Sequence, residues 1–391
     1  MRTAPASPRT APLAKPPRLH SHGEKAAPVK VMIVDDSLTV RTAIKRMVES
    51  DAGLAVAATA SSAESALLQM KAEAPDVVLL DLEMPGMGGL DALPAILSLV
   101  PDVRVLVVSS LTEEGAEATL AALAMGAADT MLKPRPGEFN EGYRTALIER
   151  IRALGDSKTS EQGEADLPRP ASEAPPISAT LAQARKTPVA GAFALPRPDV
   201  IAIGASTGGI HALGLLLGQL SPALAQPILI TQHLPASFMP VFARQIEKTC
   251  GRQAVLARDG LVLAPGQIVI ASGEGHLVVR RQGEALAVDV STAPAASGCR
   301  PSVDPMLASL AETCGARALA IILSGMGSDG LAGAQVLAAA GGTILAQDAA
   351  SSAVWGMPGV VARAGLASLV APPDALGQAI MACASPARAL S

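Results

Sequence analysis

The chain has 391 residues, a formal net charge of -4, 49% hydrophobic residues and 17% charged ones, enough apolar material for a sizeable core shared between two domains. That balance argues against a nucleic-acid binder driven by bulk charge, and with Gly 35 and Pro 31 the chain falls short of a low-complexity composition. Aromatic residues are only 2%, so the core must come from Ala, Leu, Val and Ile, a mixture suited to helices laid on parallel sheets.

In chain order, residues 1–28 are rich in Pro, Ala and basic groups without an apolar period and are expected to be a disordered extension. They lack the apolar stretch of a secretory signal, and no run elsewhere is long enough to span a bilayer. Residues 29–154 read as a (βα)5 domain: strands at 31–34, 77–80, 103–108 and 131–132, with a helix carrying Val40, Ile44, Met47 and Val48 after the first. Residues 155–198 hold seven prolines and no sustained apolar face, which predicts an interdomain linker. A second α/β domain is expected over 199–388, with strands at 200–203, 228–231, 267–271, 319–323 and 343–346. An antiparallel hairpin, 277–280 with 285–290, is expected as an insertion in its otherwise parallel sheet. The four cysteines, Cys250, Cys299, Cys314 and Cys383, are spaced neither as disulfide pairs nor as a zinc site, which suggests free thiols in a reducing cytoplasm.

Two groups of residues carry chemistry. In the first domain Asp35 and Asp36 close one predicted strand, Asp81 closes another, Ser109 a third, and Lys133 follows the last. A parallel sheet brings strand C-termini to one rim, where three carboxylates call for a cation. Mg²⁺ with oxygen ligands fits, leaving one carboxylate free to attack a phosphoryl donor, with Lys133 and Ser109 beside the product charge. Acids after strands also cap helices, which by itself would account for Asp36 and could extend to Asp35.

In the second domain an aliphatic strand runs into Gly204-Ala205-Ser206-Thr207-Gly208, a turn that would expose a serine hydroxyl beside a helix N-terminus. The same glycine pattern could cradle a nucleotide phosphate, although no acidic ribose partner follows between His211 and Phe242. Of the five histidines, His233 alone ends a predicted parallel strand; His20 and His22 lie in the extension, His211 on a helix and His276 before the hairpin. The carboxylate that would orient it is Asp329, with Asp348 as runner-up, and the turn Gly325-Met326-Gly327 offers backbone N–H groups to an oxyanion.

The first group of motifs, Val34-Asp35-Asp36-Ser37, Asp81-Leu82-Glu83-Met84-Pro85-Gly86, Ser109-Ser110-Leu111-Thr112 and Leu132-Lys133-Pro134, resembles a response-regulator receiver domain. The resemblance implies Asp81 as phosphoacceptor, Asp35, Asp36 and Asp81 as Mg²⁺ ligands, and Ser109 and Lys133 as the switch pair. Receivers usually carry an aromatic residue three positions before the lysine, where this chain has Thr130. The second group, Gly204-Ala205-Ser206-Thr207-Gly208-Gly209, Gln232-His233-Leu234-Pro235, Arg300-Pro301-Ser302-Val303-Asp304, Ser324-Gly325-Met326-Gly327-Ser328-Asp329 and Ala346-Gln347-Asp348, resembles the protein-glutamate methylesterases of chemotaxis systems, the CheB family.

That resemblance implies Ser206 as nucleophile, His233 as base, Asp329 as its orienting partner and the Met326 backbone in the oxyanion hole, with no cofactor for the ester reaction. It further implies a histidine kinase as phosphodonor, methyl-accepting chemoreceptors as substrate, and a monomer that binds no nucleic acid and does not insert directly into a membrane. Cys299 stands where relatives often have His, and Ser272 interrupts the usual Ala-Pro-Gly before His276, which bears on substrate preference. Two rival readings remain: a signalling module whose second domain binds a nucleotide, and a non-catalytic scaffold.

Overall fold

A computed structural model describes residues 27–110, 112–134, 138–156 and 197–384. The predicted extension and linker lie, apart from their innermost residues, outside these.

The first half is a five-stranded parallel sheet in the order β2-β1-β3-β4-β5. Its strands are β1 (Val29–Val34), β2 (Leu54–Ala60), β3 (Val77–Asp81), β4 (Arg104–Ser109) and β5 (Asp129–Leu132). Five helices cover its faces: α1 (Leu38–Glu49), α2 (Ala63–Met70), α3 (Gly89–Leu99), α4 (Glu113–Ala124) and α5 (Glu141–Asp156). The order reverses between β1 and β3, so the crevice of such a sheet opens above their carboxyl ends, at Asp35 and Asp81. Strand β2 is not among the strands expected from the sequence. Its Leu-Ala-Val-Ala-Ala-Thr-Ala run sits at a sheet edge and carries little of the β-branched signal that marks a strand.

The second half holds a seven-stranded parallel sheet, β15-β14-β13-β6-β7-β10-β8. Strands β6 (Val200–Ala205), β7 (Ile228–Gln232), β10 (Ile268–Ile270), β13 (Ala318–Ile322) and β14 (Thr343–Gln347) are those read from aliphatic runs. The additional edge strands, β8 (Ala254–Leu256) and β15 (Leu369–Ala371), are three residues long, too short to show a period. Every residue of β6, β7 and β13 is buried, which is why they read as unbroken apolar runs.

The expected hairpin exists, as β11 (His276–Gln282) and β12 (Ala285–Ser291), but it is not inserted in the parallel sheet. It forms its own antiparallel sheet with β9 (Leu261–Val262), in the order β11-β12-β9. Its apolar face, Leu277, Val279 and Val288, is satisfied against helix α8 (Val303–Thr313) instead, where Ser309 Oγ accepts the Val279 N–H at 2.9 Å. The other helices of this half are α6 (Gly209–Leu217), α7 (Met239–Cys250), α9 (Leu331–Ala339), α10 (Met357–Arg363) and α11 (Pro373–Ala384). No helix among the described residues is long and apolar enough to cross a membrane.

The halves touch. Helix α4 lies on α6 and α7, the Gly208 N–H donates to Ala128 O, and Gln245 Nε2 donates to Leu120 O at 3.2 Å. His211 Nδ1 meets Ala124 O at 2.9 Å, which places this histidine in the interface. A cleft of about 220 Å³, lined by residues including Leu97, Arg104, His211 and Ser351, interrupts the contact.

Candidate active site

Two rims carry the residues singled out from the sequence. At the first, Asp35 and Asp81 are buried at the ends of β1 and β3, while Asp36 is exposed. Lys133, one residue beyond β5, lies 2.6 Å from Asp81 Oδ2 and 3.0 Å from Asp35 Oδ2. Burial raises the Asp81 carboxyl above the ordinary carboxylate value, and the Lys133 ammonium and the Glu83 N–H only partly oppose it. Burial alone would depress Lys133, but its hydrogen bond to Asp81 and the Asp35 carboxylate beside it carry it above the usual lysine value. Asp35, Asp36 and Asp81 can each point one oxygen within 4.8 Å of the others. Asp35 Oδ2 is buried and has the lysine as an ion-pair neighbour without a hydrogen bond among the described residues. This all-oxygen set with an under-satisfied carboxylate fits a hard divalent cation such as Mg²⁺. Ser109 Oγ is likewise buried without a hydrogen-bond partner among the described residues, beside the same pocket at the end of β4. Thr130 is buried on β5, and its Oγ1 also has none.

The second rim lies where the seven-stranded order reverses, at β6 and β13. Ser206 follows β6; its N–H donates to Ser324 O at 3.0 Å and its carbonyl accepts Gln232 Nε2 at 2.9 Å. Gly208 starts α6 at φ 77°, a left-handed conformation that side chains resist, so the chain can turn sharply from strand into helix. Gly325 is required by a close approach: a Cβ there would come within 2.8 Å of Ser206 Cβ and 2.4 Å of Met357 Sδ. The turn that leads into Met326 is therefore pressed against the serine at Gly325. The Gly325 N–H is already donated to Val354 O at 3.1 Å, and the next residue, Met326, is exposed in the turn.

His233 follows β7, its N–H donating to Ala205 O at 3.0 Å, one residue before the serine. The imidazole Nε2 meets Asp329 Oδ2 at 2.8 Å. Asp329, 2% exposed, is the carboxylate that faces the histidine. Asp348 is turned into its own loop, accepting from the Ser351 N–H at 3.1 Å and from Ser351 Oγ. Four donors hold the Asp329 carboxylate: the imidazole, Ser302 Oγ at 2.6 Å, the Val303 N–H at 2.7 Å and, more loosely, the Asp304 N–H at 3.4 Å. Burial works against the Asp329 anion, but these hydrogen bonds and the imidazole charge bring its carboxyl well below the ordinary value. For His233 burial favours the neutral ring, and the bond to Asp329, with Cys299 beside it, overrides this and raises the imidazole to about 9. His276 is a structural residue: its Nδ1 accepts the Ser302 N–H and its Nε2 donates to Ala293 O, both at 2.9 Å.

The Ser302 clamp is not legible in Arg300-Pro301-Ser302-Val303-Asp304, since sequence gives no sign that a serine 27 positions away bonds the aspartate. Ser302→Ala should destabilise the C-terminal half by about 2 kcal/mol, the value of a buried hydrogen bond to a charge, since Asp329 Oδ1 loses its main donor. A lowered denaturant midpoint at unchanged slope is the expected reading; an unchanged midpoint would remove the clamp.

Comparison with known proteins supplies the family. Residues 201–380 match the family model for CheB methylesterase, and residues 31–141 that for the response regulator receiver domain. A protein-glutamate methylesterase/protein-glutamine glutaminase of Azospirillum brasilense is 40% identical over 95% of this chain and 97% of its own. One from Paramagnetospirillum magneticum is 41% identical over 91% and 96%. The Thermotoga maritima CheB methylesterase catalytic domain is 32% identical, covering 47% of this chain and 97% of its own, at a TM-score of 0.46. With two relatives alike from end to end and both halves matched by their family models, the chain belongs to the CheB methylesterase family and carries a response regulator receiver domain before its esterase domain.

Proposed function

We propose that the chain is a serine esterase that removes methyl groups from glutamate side chains on the cytoplasmic helices of chemoreceptors, and deamidates receptor glutamines by the same route, under control of receiver phosphorylation. The observation that carries this reading is the His233–Asp329 pair at the rim beside Ser206, where β6, β7 and β13 end side by side. Ser206 Oγ attacks the γ-ester carbonyl while the imidazole takes its proton. With Nε2 engaged by Asp329, Nδ1 is the nitrogen left for this task. The Met326 N–H faces the developing oxyanion, methanol leaves with the proton returned by His233, and water then hydrolyses the acyl-enzyme by the same relay. Release of methanol from methylated receptor membranes by the wild-type chain, and its absence with Ser206→Ala, is the test.

The nucleotide-binding alternative is not favoured. A Cβ at Gly208 would meet Ala353 Cβ at 2.5 Å and Ser324 Oγ at 2.7 Å, so the loop that would cradle a phosphate is already filled by side chains.

In the receiver, Asp81 accepts the phosphoryl group from a histidine kinase in the cytoplasm. Asp35, Asp36 and Asp81 would hold Mg²⁺, which when bound offsets the negative charge of donor and carboxylates. Lys133 pairs with the added charge, and Ser109 supplies its uncommitted hydroxyl. A small-molecule phosphodonor with Mg²⁺ should label the wild-type chain and leave Asp81→Asn unlabelled; persisting label would reassign the acceptor.

A further inference from the structure

Cys299 stands within the triad's own network. One ligand atom each from His233, Cys299 and Asp329 lie within 4.8 Å of one another, a thiol, an imidazole and a carboxylate in one cluster. The cluster is also held in place. The Cys299 N–H donates to Ser297 Oγ at 3.3 Å, Ser297 Oγ donates to Ser302 Oγ at 3.2 Å, and Ser302 Oγ donates to Asp329 Oδ1 at 2.6 Å. A single hydrogen-bonded chain thus runs from the backbone of the thiol to the carboxylate, while His233 holds its other oxygen. Supporting bonds of this kind orient metal ligands and raise affinity. The histidine is 15% exposed at its side chain and Cys299 is half-buried, so an ion can enter from solvent without opening the fold.

The donor set is selective. Sulfur, nitrogen and oxygen donors within 4.8 Å of one another suit Zn²⁺, with a water in the fourth position, whereas Mg²⁺ prefers six oxygens. The other three cysteines belong to no such cluster among the described residues. We propose that His233, Cys299 and Asp329 form a zinc site, separate from the receiver's magnesium site, through which Zn²⁺ reversibly shuts off the esterase. Binding at Nε2 of the doubly protonated ring replaces two protons, the thiol proton of Cys299 and the Nε2 proton shared with Asp329, which pass to solvent while Nδ1 keeps its proton, and no redox change occurs. The ion then occupies both the ring and the carboxylate that orients it, so Ser206 has no base. The inhibitory consequence rests on the esterase reading, whereas the binding does not.

The test uses the full chain and two readouts. In the first, Co²⁺ is titrated in the presence of Mg²⁺, and the thiolate-to-cobalt charge-transfer band is followed together with its displacement by Zn²⁺. The band should appear in wild type and in Ser206→Ala, and should be lost in Cys299→Ser and in Cys299→Ala. In the second, methanol release should fall with added Zn²⁺ and return with a chelator, and Cys299→Ser should need about 10-fold more Zn²⁺ or greater for the same inhibition. A wild-type chain without the band, a band that survives both substitutions, or equal zinc sensitivity of wild type and Cys299→Ser would overturn the proposal. A cysteine-dependent band in a wild-type chain that releases no methanol would support the metal site and sink the esterase reading.

Discussion

Ser206→Ala and His233→Gln should each lower methanol release by roughly 10⁴-fold or more, and combining them should cost little beyond either alone, because a nucleophile without its base and a base without its nucleophile are equally idle. Asp329→Asn should also fall by roughly 10⁴-fold, since the amide carries no charge to offset the imidazolium and can turn its NH2 toward the ring, which holds the wrong tautomer. The same aspartate sets a pH dependence. His233 works as a base only when neutral, and it is raised to about 9 by its bond to Asp329 and the neighbouring Cys299 against the effect of burial. Wild-type kcat/KM should therefore rise with pH through this region. In Asp329→Asn the largest stabilisation of the imidazolium is gone, while burial still favours the neutral ring, so the imidazole should titrate lower. Its own NMR titration checks this without relying on residual activity. An unmoved His233 titration, or near-normal turnover in Asp329→Asn, would take the orienting role away from Asp329, and Asp348 would be next to test.

How far the sequence discloses this site depends on what kind of contact holds each part. Strand C-termini are readable because β6, β7, β13 and β14 are buried along most of their length and leave unbroken aliphatic runs, and the residues that follow them inherit one rim. Thus Ser206 and His233, and in the receiver Asp35, Asp81, Ser109 and Lys133, can be proposed from position, whereas position leaves Asp329 and Asp348 both open and the resemblance to the methylesterases favours Asp329. Edge strands such as β2, β8 and β15 leave no such trace, being short or Ala-rich. Partners that meet through side chains from distant loops are also silent. Nothing in the spacing of Ser302 and Asp329 announces their bond, and nothing near Thr207 points to Asp129, 78 residues earlier. The hairpin was legible as a hairpin, but its sheet was not, because strand pairing with β9 depends on where α8 lies rather than on its own alternation.

Replacing Asp129 by Ala should raise the basal activity of the unphosphorylated full chain by up to about 10-fold, because Asp129 latches the receiver onto the residue next to the nucleophile. Thr207 Oγ1 donates to Asp129 Oδ2 at 2.7 Å, and Arg150 lies 3.5 Å from the same oxygen. A hydrogen bond to a charge in this half-buried setting is worth about 2 kcal/mol, enough to hold the closed arrangement against a cleft that leaves the rest of the contact incomplete. The docked receiver also reaches the oxyanion turn: Val354, buried with the receiver's core residues, exchanges hydrogen bonds with Ser324 Oγ at 3.1 and 3.2 Å and accepts from Gly325. Phosphorylation would act on the other end of the same strand. Asp129 opens β5, Lys133 follows its end, and Ser109 pairs with Leu132 there, so drawing Lys133 and Ser109 toward a phosphoryl group pulls on the strand that carries the latch. With Thr130 in place of the usual aromatic, β5 itself joins the phosphorylation pocket to the Asp129–Thr207 contact. The exposed pair Arg244–Glu117, 3.3 Å apart across the same interface, gives a control: solvent screening leaves it little to contribute, so Glu117→Ala should change basal activity far less. Methanol release by unphosphorylated wild type, Asp129→Ala and Asp81→Asn/Asp129→Ala separates the possibilities. The last should be as active as Asp129→Ala and indifferent to phosphodonor, and basal activity unchanged by Asp129→Ala would mean that the receiver controls the esterase by some route other than this latch.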